Sequence, residues 1–241
     1  MSTAILIDGA FFLVRLNSLY HAWPGLSDPD QVATIIHRTA LGMLKQGETE
    51  ARRNLYRIFF YDCPPLQKRV TLPVSRQTRN YAQTDMATFR LSLHARLRAK
   101  RKMALRLGTL KGGTSWRLKA PATQELLKGR RGWASLTDDD FELDLRQKGV
   151  DMRIGLDMAS LTLKRFVDQI ILISGDADFV PAAKLARREG VDVILNPLWK
   201  PIPEDLNEHI DGLRNYLARY AAPAAAEADA VPSGADDLLE T

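Results

Sequence analysis

Five aspartates are spaced as ligands of a hard cation would be. Asp151, Asp157, Asp176 and Asp178 surround one short apolar run, Gln169-Ile170-Ile171-Leu172-Ile173, and Asp8 ends a second, Ala4-Ile5-Leu6-Ile7. A run of that kind reads as a strand buried on both faces of a sheet, whose polar exit lies at the sheet's carboxyl edge. Two strands that each deliver carboxylate to the edge where open α/β sheets bind ligands make a shared crevice. Crowded carboxylates raise one another's pKa by repulsion unless a cation neutralises them, and hard oxygen donors select magnesium or manganese over zinc. The pattern reads as a Mg2+ or Mn2+ site that works on phosphodiesters.

Helix capping competes for some of these acids. In Ser174-Gly175-Asp176-Ala177-Asp178-Phe179 one aspartate can cap the helix that follows. With Pro181 tolerated in the first turn, Asp178 is the expected cap and Asp176 is left for the metal. Asp151, at the end of Lys148-Gly149-Val150-Asp151, can cap the next helix or face the crevice. Asp157 lies six residues further on. If both were helical they would stand about 120° apart and could not both point into one site. Lys148 can steer phosphate or be a surface lysine.

The elements that would position these residues alternate between strand and helix, which predicts a parallel sheet. After the first strand, Gly9 permits a tight exit into a short apolar helix or turn. Asp28, Pro29 and Gln31 carry an N-cap signature for a helix that buries Val32, Ile35, Ile36, Ala40, Met43 and Leu44 and ends at Gly47. Residues 54–61 read as a second buried strand with Asp62 at its exit. A helix over residues 79–102 would turn Tyr81, Met86, Phe89, Leu93 and Leu97 inward, and residues 103–119 read as a hairpin turning at Lys111-Gly112-Gly113-Thr114. A helix carrying Ile154, Met158, Leu161 and Phe166 follows, then the strand 169–173, a helix closed by Gly190 and a strand over 191–195. The spacing of Leu206, Ile210, Leu213 and Leu217 predicts a last helix over 205–220.

Charge is segregated along this order. Residues 221–241 hold Glu227, Asp229, Asp236, Asp237 and Glu240 with no Lys or Arg, so the net charge of +5 understates the basic body. Residues 96–133 hold twelve Lys or Arg against the single acid Glu125. Such a cluster suits a polyanion, or else forms a solvated face. Arg98, Arg101 and Lys102 at the end of the long helix, Lys128, Arg130 and Arg131 in a glycine-punctuated stretch with Trp133, and Asp62 with Lys148 make the expected substrate-binding set. The acids from Asp138 to Asp144 read as capping and surface. The acidic, Ala/Pro-rich tail lacks a core-forming pattern and is expected to be disordered. The lone Cys63 supports neither an internal disulfide nor a structural zinc site. Apolar runs are too short for a membrane span and the start shows no signal segment, so a cytoplasmic protein is expected.

Together, Ile5-Leu6-Ile7-Asp8-Gly9, Tyr61-Asp62, Lys148-Gly149-Val150-Asp151 with Asp157, and Ser174-Gly175-Asp176-Ala177-Asp178-Phe179-Val180-Pro181 resemble the NYN domain family of the PIN-like nuclease superfamily. The resemblance covers about residues 4–220. It implies a PIN-like three-layer α/β/α domain over residues 1–220, to which the patterns above add a mostly parallel central sheet and an inserted basic helix plus hairpin at about residues 79–135. It also implies metal-dependent cleavage of RNA with Asp8, Asp151, Asp157, Asp176 and Asp178 as the acidic set. Where many relatives have an asparagine soon after the first aspartate, Phe11 and Phe12 follow Ala10 here. The alternative is a PIN-like module that binds RNA or a protein without cutting. An aspartyl phosphatase would want a second acid where Ala10 stands, and there is neither a Walker loop nor a dinucleotide fingerprint.

Overall fold

The computed structural model describes residues 2–46 and 49–218. The chain opens with β1 (Ser2–Asp8), α1 (Gly9–Leu19) and α2 (Pro29–Gly42), the last capped by Asp28, which accepts from the N–H groups of Asp30 and Gln31. A small ladder of β2 (Lys45–Gln46) and β3 (Thr49–Arg52) precedes β4 (Asn54–Asp62). A second, β5 (Arg69–Thr71) with β6 (Thr78–Asn80), precedes α3 (Asp85–Ala99) and β7 (Met103–Leu107). Next come β8 (Thr109–Leu118), α4 (Ala120–Leu127) and β9 (Phe141–Lys148). The order closes with α5 (Val150–Leu163), β10 (Gln169–Ile173), α6 (Val180–Arg188), β11 (Asp192–Leu195), α7 (Glu204–Glu208) and β12 (Gly212–Leu213).

Six of these strands pair in parallel in the order β12-β11-β10-β1-β4-β7. Strand side chains alternate between the two faces, and each face has its own core. Ile5, Ile7, Ile58, Phe60, Ile171 and Ile173 pack on one side with Phe12, Ile36, Leu93 and Leu97 from α1, α2 and α3. Leu6, Tyr61, Ile170 and Leu172 pack on the other with Ile154, Met158, Ala183 and Leu206 from α5, α6 and α7. The expected three-layer α/β/α arrangement is therefore present. From β1 the chain builds outward through β4 and β7, then returns to add β10, β11 and β12 on the opposite side. That reversal makes the carboxyl ends of β1 and β10 the topological switch point, the place where such sheets bind ligands.

Several local expectations are corrected. The long helix begins at Asp85, capped by Thr84, because residues 78–80 are taken into the β5–β6 ladder. Met86, expected inward, is 57% exposed. Residues 103–119 are not a hairpin: β7 joins the central sheet beside β4, while β8 pairs with β9. Gly112 and Gly113, with φ of 94° and 82°, make a bulge within β8 instead of a turn between strands. Phe166 lies past the end of α5 and stacks on Tyr56 instead of filling the core. The expected last helix stops at Glu208, because Asp211 accepts from Val193 N–H at 2.9 Å and from Arg187 at 2.8 Å, which draws the chain into β12. The helix α2 ends at Gly42, and the expected stop at Gly47 lies outside the described residues, as do Tyr220 and the acidic tail.

Candidate metal and nucleic-acid site

Asp8 stands at the end of β1, next to the end of β10, since Ile7 pairs with Ile173. Its Oδ1 accepts from Phe11 N–H at 3.1 Å and so caps α1, while Ser174 Oγ donates to Oδ2 at 3.5 Å. Gly9 is needed for this exit, because a Cβ there would lie 2.5 Å from the Tyr61 carbonyl oxygen. Buried Ser174 also accepts from Asp176 N–H at 3.4 Å, tying the two strand ends together. Asp176 in turn accepts from Asp178 N–H at 3.0 Å and caps the single 3-10 turn Ala177–Phe179. The capping roles are thus the reverse of the expectation: Asp176 caps, and the side chain of Asp178 has no hydrogen bond or ion pair among the described residues.

Asp151 reaches the same edge from the start of α5. The cap of that helix is Gly149, at φ 79°, so Asp151 lies inside the first turn instead of capping it. Burial raises the pKa of Asp8 first, with added repulsion from Asp151 and Asp176; burial raises that of Asp151 too, with repulsion from Asp176 and Asp178. The charges of Asp176 and Asp178 therefore lie close enough to oppose ionisation at this edge, where Asp151 stands in the first turn of α5, at the helix's positive end. A hard divalent cation fits this donor set. Among the described residues the spacing of 4.8 Å or less between three ligand atoms is met by Asp205, Glu208 and His209, two exposed acids and a half-buried imidazole on and beside α7, and not by the strand-end acids.

Asp157 points elsewhere. Both it and Asp151 are helical, so the 120° between them applies, and its carboxylate accepts from Tyr61 Oη at 2.8 Å and from Arg106 Nε and Nη2 at 3.0 Å each. The buried Tyr61 phenol is pushed far above its ordinary pKa by burial and by this carboxylate, so it remains a donor. Asp62 also turns away from the crevice. It is 1% exposed, and its Oδ2 lies 2.8 Å from Arg90 Nη1 and 2.7 Å from His94 Nε2.

The expected basic set divides. Lys148 is exposed just before Gly149, at the acidic edge. Arg98, Arg101 and Lys102 lie at the other edge of the sheet, because α3 returns the chain to where β7 begins, and Lys102 Nζ donates to the Leu55 carbonyl at the start of β4. Lys128, Arg130 and Arg131 lie on the far end of the β8–β9 arm. Arg131 is engaged there by both oxygens of Asp140 at 2.6 Å, whereas Lys128 is exposed and Trp133 is 71% exposed.

Lys200 escaped the sequence reading. It follows β11 at the acidic edge, its Nζ 5.7 Å from the centroid of Phe11, and its stem borders the space beside Gly175. The two residues before it, Leu198 and Trp199, have φ of 49° and 59°, a conformation costly for such side chains. Arg15 donates twice to the Leu198 carbonyl, at 3.0 and 2.8 Å, buried Asn196 accepts from Leu198 N–H at 3.0 Å, and Asn215 accepts from Trp199 N–H at 2.7 Å. Lys200 itself makes no ion pair among the described residues. The signal available in sequence was its place five residues past a strand exit.

Residues 131–211 match the NYN domain, a PIN-like nuclease family. That segment contains β9 and all the acids of the edge except Asp8. A protein of unknown function from Vibrio parahaemolyticus is similar in structure, with 14% sequence identity and a TM-score of 0.44 over 90% of this chain and 96% of that one. No curated protein matches the chain. Among the described residues, no helix is long and apolar enough to cross a membrane.

Proposed function

We propose that this chain is a divalent-metal-dependent nuclease that hydrolyses RNA phosphodiester bonds at the carboxyl edge of its sheet. The observation that carries the proposal is the convergence of Asp8, Asp151, Asp176 and Asp178 from two strand ends and one helix start at the switch point. These four residues would hold Mg2+ or Mn2+. A cation bound there supplies Lewis-acid activation and charge neutralisation at the phosphodiester. The residues of the chain do the placing. Ser174 spaces Asp8 from Asp176, the Asp178 N–H fixes one oxygen of Asp176, and Lys148 and Lys200 flank the edge as phosphate partners. Lys128, Arg130 and Trp133 on the arm suit a single strand, by backbone attraction and base stacking. Asp157 serves the fold by bracing Tyr61 and Arg106.

The test is incubation of the purified chain with labelled single-stranded RNA, structured RNA and DNA, with and without manganese, beside Asp176→Asn. RNA should be cut only with manganese, and the variant should be inactive with an unchanged circular dichroism spectrum. Cleavage that survives chelation, or a fully active variant, would sink the assignment. RNA binding without cleavage at any manganese concentration would leave the non-cutting module as the better reading.

A further inference from the structure

We infer that the cleft between α1 and α3 reads a nucleobase of the bound strand and that Arg90 is the reader, guanine being the base its donors match. The inference rests on the proposed function in taking RNA as the polymer. The cleft has a volume of about 530 Å3, within the range of small-ligand sites. Ala10 and Val14 line it from α1, Met86, Phe89 and Arg90 from α3, and Gln147 from the end of β9. Its place is informative: Ala10 follows Asp8 by two residues, and Gln147 immediately precedes Lys148. A strand whose phosphate lies over the acids passes this cleft.

The walls suit a base more than a phosphate. Val14 is 69% exposed and Met86 57%, a pair of large apolar side chains left against water. Phe89 adds an aromatic wall, and bases pack on such surfaces whatever their sequence. Arg90 supplies the selective element. Its Nη1 donates to Asp62 at 2.8 Å, the Asp62 side chain is 0% exposed, and His94, at 2% exposure, braces the same oxygen from 2.7 Å. Among the described residues the other oxygen of Asp62, Oδ1, is buried without a partner, so the carboxylate depends on Oδ2 for its stabilisation. That dependence anchors the Arg90 head group to the buried carboxylate at the cleft wall. Among the described residues only one of its five N–H groups is engaged, and the side chain keeps 19% exposure toward the cleft. An anchored guanidinium fork matches the O6 and N7 acceptors of guanine, whereas phosphate contact would carry no sequence information.

Binding read in chelator separates this inference from the nuclease reading. Fluorescence anisotropy would compare short single-stranded RNAs built from A and C with the same RNAs containing guanosines. The native chain should prefer the guanosine-containing strands. Arg90→Ala should lose about tenfold or more in affinity for those strands alone, as expected for one bidentate arginine–guanine contact. Arg90→Lys keeps a cation beside Asp62 and guards against misfolding, yet should lose the preference too, since the fork is gone. Val14→Trp fills the cleft mouth from an exposed position and should act alike. Lys200→Ala, by contrast, should weaken both sets equally. A native chain indifferent to guanosine, or Arg90 and Val14 variants that weaken all strands equally or none, would overturn the inference. Because metal is withheld, a failure to cleave in the separate manganese assay would count against the nuclease reading and not against the cleft.

Discussion

Replacing Asp157 by alanine should cost stability without removing the chemistry. The carboxylate accepts from Tyr61 Oη at 2.8 Å and from two Arg106 nitrogens at 3.0 Å each. Tyr61 is 0% exposed, so its hydroxyl would be left without a partner, a loss of about 1–3 kcal/mol. The Arg106 side chain is 47% exposed, and solvent screening reduces its part to roughly 0.5–1 kcal/mol. The sum, about 1.5–4 kcal/mol, corresponds to a Tm lowered by about 3–16 °C for a domain of this size. Urea titration followed by circular dichroism measures it. Tyr61→Phe in the Asp157→Ala background should restore about 1–2 kcal/mol, because it removes the orphaned hydroxyl, and the double-mutant cycle isolates that coupling. Metal-dependent cleavage should persist in the folded variant. A variant as stable as the native chain but as inactive as Asp176→Asn would refute the reasoning and return Asp157 to the catalytic set.

Two further outcomes follow from the site. Burial, with the charges of Asp151 and Asp176, raises the folded-state pKa of Asp8 above its unfolded value, so ionising it opposes folding. The stabilising contribution is complete below the unfolded pKa and is lost as pH rises through the raised one. Asp8→Asn, which keeps an acceptor for Phe11 N–H, should therefore melt higher than the native chain at pH 7 and lose that advantage near pH 4; scanning calorimetry in chelator would show it, and a variant less stable at pH 7 would contradict it. Lys200→Ala should leave Tm unchanged, raise KM for RNA about three- to tenfold and lower the salt slope of binding by about one, as loss of one phosphate contact predicts; an unaltered slope would remove Lys200 from the substrate path.

How much was legible in the sequence depended on whether the deciding interaction was local. The bounds of β10 could be read because four apolar residues follow Gln169 and run to Ser174, as burial on both faces favours. The helix start at Asp28 was equally plain, since Pro29 and Gln31 supply the rest of the cap within three residues. The Asp62 cluster was not, because Arg90 and His94 are 28 and 32 residues away and an ordinary helix pattern hides them. Gly112 and Gly113 announced a positive φ but not whether it served a turn or a bulge, a choice made by the distant strand β9. The last helix failed for the same reason, since Asp211 is recruited by Val193 and Arg187 across the sheet.

The misplaced cations have a different cause, and it points to a better way of reading such chains. A helix that joins two parallel strands must carry the chain back to the amino edge, so basic residues at its end, such as Arg98, Arg101 and Lys102, fall far from carboxylates at strand exits. Local charge density selected them; topology places them at the other edge of the sheet. The residues at or within five positions after the ends of β1, β4, β10 and β11 include Asp8, Asp62, Asp176, Asp178 and Lys200. Three of these are acids of the proposed crevice, Lys200 flanks it, and Asp62 braces the arginine beside it. In a parallel α/β chain, distance from a strand exit therefore selects candidate site residues better than clustering of charge, because the fold gathers strand exits at one edge whatever their separation in sequence.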